Sequence, residues 1–486
     1  MTRFYGRFLI TFAPMSKRIL HFCFVVFLLQ IVLITSCKND DVFTTDSSAK
    51  LKLQEDTVYF DTVFTYLGNG VPLSATKIFT VVNPNKESIR TDVYLGGGDQ
   101  SYFSLNVDGE AGRAVNGIEI LPGDSIFVFV EVNLDPNQDP AARPLVIKDS
   151  LIFKTNGNLQ DVKLIAWGQD AHYMLNDTLC NVVLDDKEKP YVVHGYLFVP
   201  ENCKLTIKEG VKMYFGARTW LYVEGTLDVQ GSISEPVYME ADRLEPDYEE
   251  RAGQWGGVWL NYLSTNNTIS YARIKNGTVG IYCDSSSKND LPNVVIKNTE
   301  VRNMSFDGLS GKRSYIRSEN SVYDNCGRYS CLALWGGRYE LYHNTFITYN
   351  YYFGRKDPTF LLNNFEADEF GRVLRTFKIE VDARNNIIYG SLAEEVGLGL
   401  LNENDDVKSF IFTNNLLKTE QPNLAKGDFK NILNIDPLFK DYRNYDYHII
   451  EGSGAIDIGL NLGITNDLEG TVRDAKPDAG ALEYLP

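Results

Sequence analysis

Histidine and cysteine are scarce in this sequence, five and seven among 486 residues, and none falls in a metal-ligand spacing. There is no CxxC pair, and no Cys/His cluster is spaced to hold zinc. HExxH, a P-loop and a nucleophile elbow are also missing, which removes zinc peptidase, nucleotide-phosphate and α/β-hydrolase chemistry. Basic residues are short as well: 47 Lys and Arg face 64 Asp and Glu, a formal charge of −17. So acidic a chain repels phosphate backbones and excludes nucleic acid as a partner. It also disfavours polyanionic glycans unless a cation such as calcium bridges them, and calcium is the one cofactor left open. Oligomeric state is not legible.

Long apolar runs are nearly absent too. The exception, Ile19–Ile34, follows Lys17 and Arg18 and leads into Ile34-Thr35-Ser36-Cys37, the order of a secretory signal with Met15 as the expected start. Those last four residues resemble a bacterial lipobox, in which Cys37 would take a diacylglycerol and become the new N-terminus. An ordinary signal anchor is the alternative, because the run is nearly long enough to span. Lys38-Asn39-Asp40-Asp41 resembles the export tag of surface-exposed lipoproteins of Bacteroidetes. The resemblance implies an outer-membrane, cell-surface protein held by its lipid. Removing residues 1–36 takes away Arg3, Arg7, Lys17 and Arg18 and no acid, so the mature charge is −17 − 4 = −21. Cys180, Cys203, Cys283, Cys326 and Cys331 remain beside Cys37 and cannot all pair; Cys326 and Cys331 either bridge a turn or face inward as small side chains.

Four hundred and fifty mature residues exceed one ordinary core, so several units are expected. Residues 37–55 are polar and read as a lipidated, solvated tether. Over 56–171, runs such as GDSIFVFVEVNL and DVKLIAWGQD alternate polar and apolar and end in turn residues. This predicts a β-sandwich, and the stretch resembles immunoglobulin-like modules that serve as stalks or interaction domains. Residues 172–195 are expected to link the sandwich to the C-terminal unit and to cap that unit.

Beyond about Tyr191 an asparagine followed by apolar residues recurs: Asn298, Asn320, Asn344, Asn386 and Asn415, at spacings of 22, 24, 42 and 29. Periods in the twenties mean stacked coils that cannot bury their apolar faces singly. LxxLxL spacing is absent, and β-branched and aromatic alternation takes its place, so a parallel β-helix with a turn ladder of asparagines fits better than a leucine-rich solenoid. The interval of 42 is either two short rungs or one rung with a large insertion. The segments KLTIKEGV, GTLDVQG with its following EPV, and GQWGGVWL resemble the opening rungs of right-handed parallel β-helices of the pectate-lyase-like superfamily. Gly454-Ala455-Ile456-Asp457, Asp467, Arg473 and Pro477-Asp478-Ala479-Gly480-Ala481 resemble the choice-of-anchor Q ending of such proteins. The fold class is therefore all-β: an immunoglobulin-like sandwich, then a right-handed parallel β-helix over 196–439. At roughly 22–24 residues per rung, residues 191–484 would give on the order of a dozen rungs and a rod of about 60 Å. Residues 440–486 are assigned as a cap over its far end.

The chemistry is thinner than the fold. Arg273-Ile274-Lys275 copies the RIK tripeptide of polygalacturonases, without their GHG or NTD. Asp307, Asp324 and Asp382, with Arg328 and Arg384, are the acids and bases that a lyase would need, yet solvated turn acids read the same way. His343 is a base or a turn-stacking residue; His194 and His448 have no partner motif. No catalytic residue is assigned. The doubled interval carries aromatic crowding instead: Tyr349, Tyr351, Tyr352 and Phe353, with Arg355, could stack sugar rings and orient hydroxyls, or could seal the insertion against the rod. Trp255 and Trp335, each before Gly-Gly, read as rung packing. A non-catalytic glycan binder is the favoured expectation, and a polysaccharide lyase or glycoside hydrolase is the alternative.

Overall fold

The computed structural model describes residues 42–64, 75–132, 146–169, 171–285, 291–349, 354–402 and 405–486. The fold is all-β, as expected. Its first unit packs two five-stranded sheets. Strand Ser125–Val132 shows the cause, because its apolar residues Ile126, Val128, Val130 and Val132 all face one side and are buried. Phe60 and Phe103 meet at 5.3 Å, and Phe79 and Phe153 at 6.3 Å, between the sheets. Part of the expected tether belongs to this unit. Ala49 and Leu51 are buried in its core, Lys52–Leu53 pairs with Ala75–Val82, and the Gln160 side chain bonds both main-chain groups of Leu51. Two apolar residues among polar neighbours are enough to dock an edge strand, and composition averaged over the segment hides them.

From His172 onward the chain coils into one 25-stranded parallel sheet system. Inner side chains stack in columns: Met213, Met239, Ile274, Val301, Tyr323, Phe346, Ile388 and Leu417 are successive partners and all are buried. Ten successive pairings carry this column from His172 to Leu433, about 48 Å of rod at 4.8 Å each. The rod is shorter than expected because residues 440–486 leave it for the flank and one interval is longer than a simple coil. The 42-residue step is a single rung, enlarged by the stretch before Phe360–Asn363 and by the hairpin of Phe365–Ala367 with Val373–Thr376.

Residues 172–195 are no separate cap, since His172–Thr178 and Val182–Leu184 already pair in parallel with the next rung. A disulfide, Cys180–Cys203, joins these two rungs across 23 residues, whereas Cys283, Cys326 and Cys331 are free and buried. Closing a loop of that length stabilises by about 3 kcal/mol.

The asparagine ladder is present with a shifted membership. The Oδ1 atoms of Asn344, Asn386, Asn415 and Asn431 form the column: Asn344 N and Nδ2 donate to Asn386 Oδ1, Asn386 to Asn415, and Asn415 to Asn431, all within 2.8–3.1 Å. Ser321 and Thr299 continue it, their hydroxyls accepting from the preceding rung's backbone N–H groups, of Thr299 and Ala272, while Ser321 N donates to Asn344 Oδ1. Asn298 and Asn320 stand one residue earlier, at φ +49° and +50°, in a turn column shared with His343, Asn385 and Asn414. The turn column needs a residue that tolerates the left-handed region, the inner column needs an amide that both gives and takes, and asparagine serves both.

Residues 440–486 do not close the far end. Leu424 inserts into the core there, and Asn431 Nδ2 bonds Leu424 O at 2.8 Å. The C-terminal segment instead lies along one flank. Outward positions on that sheet change from Arg273, Glu300 and Arg302 to Val322, Ile347, Ile387 and Leu416, and the segment covers the apolar part with Tyr447, Leu468, Ala479 and Leu482. Polar side chains of this segment are its joints. Arg473 bonds Glu483, Asn320 and Gly480 O; Asp467 and Asp478 accept backbone N–H groups from within the segment.

Candidate binding face and acidic cavity

Three outward faces of the rod differ in chemistry. On the first, rungs place aromatic residues in register. Phe198, Tyr222, Trp259 and Tyr282 are successive partners, and Tyr196 pairs with Trp220 beside them. All six stand on the solvent side and none is buried; Tyr196 is 41% exposed. Trp259 lies 5.4 Å from Tyr222, 5.7 Å from Trp220 and 5.3 Å from Tyr282. The WGG sequence builds this face. Trp255 turns inward and stacks on Phe215 at 4.3 Å, and its indole N–H bonds Lys275 O at 2.8 Å. Gly256 leaves room for the Trp220 ring, which would lie 2.3 Å from a Cβ there, and Gly257 sits at φ +130° beneath Val279 O. The sequence signal for this strip is alternation: Tyr-Leu-Phe-Val, Trp-Leu-Tyr-Val and Val-Trp-Leu place aromatics on one side and aliphatics on the other. Aromatic crowding within a loop hides it, because the strip emerges only when residues are sorted by strand face.

The second face neutralises itself. Arg338 pairs with Glu340 at 2.7 Å, Arg384 forks onto Asp382, Arg317 reaches Glu319 and Glu340, and Tyr315 donates to Glu340 at 2.7 Å. The Tyr342 phenol, held up by burial and then by Asp382, bonds that carboxylate at 3.1 Å. Asp307 is likewise held by Arg328, whose Nε and Nη2 donate to its two oxygens at 2.9 and 2.7 Å. Two of the three acids singled out in the sequence are thus in forked ion pairs.

The third acid is not. Asp324 is 3% exposed at the edge of the C-terminal covering, and its Oδ2 has no hydrogen-bond partner. Burial pushes its carboxyl up to about 7, against the lowering pull of the Tyr447 phenol and the Arg302 charge. It lines a cavity of about 240 Å³ between the rod and the strand Asp446–Ile449. Val322, Leu468 and Leu482 make the apolar wall, and His448, bonded to Asp446 and Glu469, lies at the rim. Arg302 rests over the Tyr445 ring at 4.4 Å.

The remaining sequence candidates are spread out. Arg355 is buried and forked onto Glu395 at 2.6 and 2.8 Å, so its guanidinium is committed inside the insertion and is not presented to a ligand. Tyr349 is half-buried against Tyr442 at 4.3 Å and Tyr389 at 6.4 Å. Tyr351, Tyr352, Phe353 and Cys37 lie outside the described residues. His343 is fully buried in the turn column, bonding Asp478 O at 3.0 Å and Asn385 Nδ2 at 2.8 Å, and burial pushes its imidazole well down. Arg273 and Lys275 pair with Glu300 and Glu240. Trp335 is half-buried beside Phe377 at 6.1 Å with Lys312 over its ring, more an outward platform than rung packing. Among the described residues no group of three or more His, Cys, Asp and Glu could hold a metal ion. No helix among them is long and apolar enough to cross a membrane.

The fold defines an all-β protein, a β-sandwich followed by a parallel β-helix. Residues 176–282 match the pectate-lyase-like β-helix domain, and residues 301–461 match the disaggregatase-related domain. No curated protein matches the sequence. Among solved structures, the periplasmic chaperone SfaE is similar at 11% identity and TM-score 0.17, over 25% of this chain and 58% of that one. A family 123 glycoside hydrolase from Clostridium perfringens is similar at 5% identity and TM-score 0.18, over 25% of this chain and 26% of its own.

Proposed function

We propose that this protein is a lipid-anchored, cell-surface rod that binds a neutral polysaccharide along its aromatic face without cleaving it. The observation that carries this reading is the strip Tyr196, Phe198, Trp220, Tyr222, Trp259 and Tyr282, in register on the solvent side of successive rungs, with Tyr196 exposed and the other five half-buried. Contiguous exposed aromatic surface marks interaction sites, and sugar rings offer C–H faces that pack on such rings. Rungs about 4.8 Å apart present a ring at each step, which suits an extended polymer lying along the rod. The formal charge of −17 favours a neutral polymer over a polyanion. The sandwich would hold the rod away from Cys37 and its lipid.

Affinity electrophoresis of the mature chain in gels containing neutral polysaccharides, with polygalacturonate as the acidic control, tests the reading. Trp259→Ala is expected to weaken retention about tenfold, the loss of roughly 1.4 kcal/mol at a central contact. Retention unchanged by both Trp259→Ala and Trp220→Ala would exclude the aromatic face. For the anchor, Cys37→Ala should move the protein from the membrane to the soluble fraction, and unaltered membrane retention would contradict lipidation. The second reading, a polysaccharide lyase or glycoside hydrolase, is supported by the β-helix domain match. Release of reducing ends or unsaturated uronates from any polymer would put it first.

A further inference from the structure

The Asp324 cavity has no part in the aromatic face, and its construction is costly for the fold. A carboxyl with one oxygen lacking any partner is a liability unless something else completes it. The enclosure is divided. Val322, Leu468 and Leu482 offer an apolar wall, while Asp324, Arg302 and Glu300 offer an acceptor, a donor and a second acceptor. About 240 Å³ is smaller than the ~300–1,000 Å³ of drug-sized sites, so the occupant is small. A metal ion does not fit, because the described residues hold no set of three metal-binding side chains. A simple anion does not fit either, since Asp324, Glu300, Asp446 and Glu469 all line the space against one arginine and one histidine.

We propose that this cavity, walled by the rod and the C-terminal covering, is a pocket for a single neutral sugar residue, whose hydroxyls donate to the Asp324 carboxylate and accept from Arg302 while its C–H face lies on Leu468 and Leu482. The choice of ligand class rests on the glycan reading above, but the site is separate from the aromatic strip. One sugar end would be held here while a polymer lies on another face.

Hydroxyl donors favour the ionised carboxylate, so binding pulls Asp324 below its free value of about 7 and affinity rises as the pH passes through that value. The other charged and titratable groups facing it are Arg302 and Glu300 on the rod, Glu250, and Tyr445, Asp446, Tyr447 and His448 from the covering strand and its turn, with Glu469 at the rim. His448 contacts Asp446 and Glu469 at the rim, so the control His448→Gln must keep the rise.

The test is saturation-transfer NMR of the mature chain with D-glucose, D-galactose, D-mannose and N-acetyl-D-glucosamine in turn. At least one is expected to bind saturably, about tenfold more tightly above pH 8 than below pH 6. Asp324→Asn, with folding checked by thermal unfolding, should abolish the binding. Trp259→Ala should leave it intact, so failure of the aromatic face and failure of this pocket read out separately. No saturable binding by any of the four, or binding that survives in Asp324→Asn, overturns the proposal.

Discussion

Asn386→Ala tests whether the inner amide column holds the rungs in register. The Asn386 side chain is fully buried and makes four hydrogen bonds: Oδ1 accepts from Asn344 N and Nδ2 at 2.9 and 3.1 Å, and Nδ2 donates to Leu341 O and Asn415 Oδ1 at 2.9 Å. Alanine removes all four and leaves their partners where water cannot reach. At about 0.5–1.5 kcal/mol each, the loss is about 2–6 kcal/mol, centred near 4. Asn298 is the internal control. It belongs to the turn column, its Oδ1 has no partner, and its φ of +49° suits glycine, so Asn298→Gly should change stability by no more than about 0.5 kcal/mol. Urea unfolding of the mature chain, followed through the near-ultraviolet signal of the rod tryptophans, measures both. Rungs in a solenoid couple chiefly to their neighbours, so the transition should lose cooperativity as well as midpoint. A cost below about 1 kcal/mol for Asn386→Ala, or equal costs for the two variants, would refute the distinction between the columns.

The buried charges give further expected outcomes. Arg355→Ala leaves Glu395 buried and unpaired, and should destabilise by about 3–5 kcal/mol in the same urea assay; a loss under about 1 kcal/mol would mean that the insertion is not held by this pair. The folded protein keeps a proton on Asp324 up to about pH 7, where the unfolded chain has lost it near 3.8, so wild-type stability at this site falls as pH rises between those values, by at most about 4 kcal/mol. Asp324→Asn should therefore gain on the wild type between pH 4 and pH 8, and a flat difference would contradict the burial of this carboxyl. His343 acts in the opposite sense. Its imidazole is neutral when folded and the unfolded one charges near 6.5, so stability declines below that pH in both proteins and cancels from the comparison.

What could be read along the chain was whatever one strand or turn decides alone. Strand alternation gave the sandwich, and the 22-to-42-residue recurrence of asparagine gave a stacked coil, because each rung repeats the same local demand on its turn. The one-residue difference between Asn320 and Asn344 was not legible, since both columns call for the same amino acid and only the hydrogen bonds across rungs separate them. The aromatic strip was legible in principle, by strand face, and the crowded loop tyrosines mask it.

Local sequence, then, determined an all-β chain in two units, because periodicity and turn chemistry act over a few residues. Tertiary structure alone decided which of three similar acids stays unpaired. Asp307 and Asp382 meet arginines within their own neighbourhood of the rod, but Asp324 is enclosed by Tyr447 and Leu468, brought over from the distant C-terminal segment. That segment lies on the flank because the outward face there turns apolar, so the burial of this carboxyl follows from long-range packing and not from its own stretch of chain.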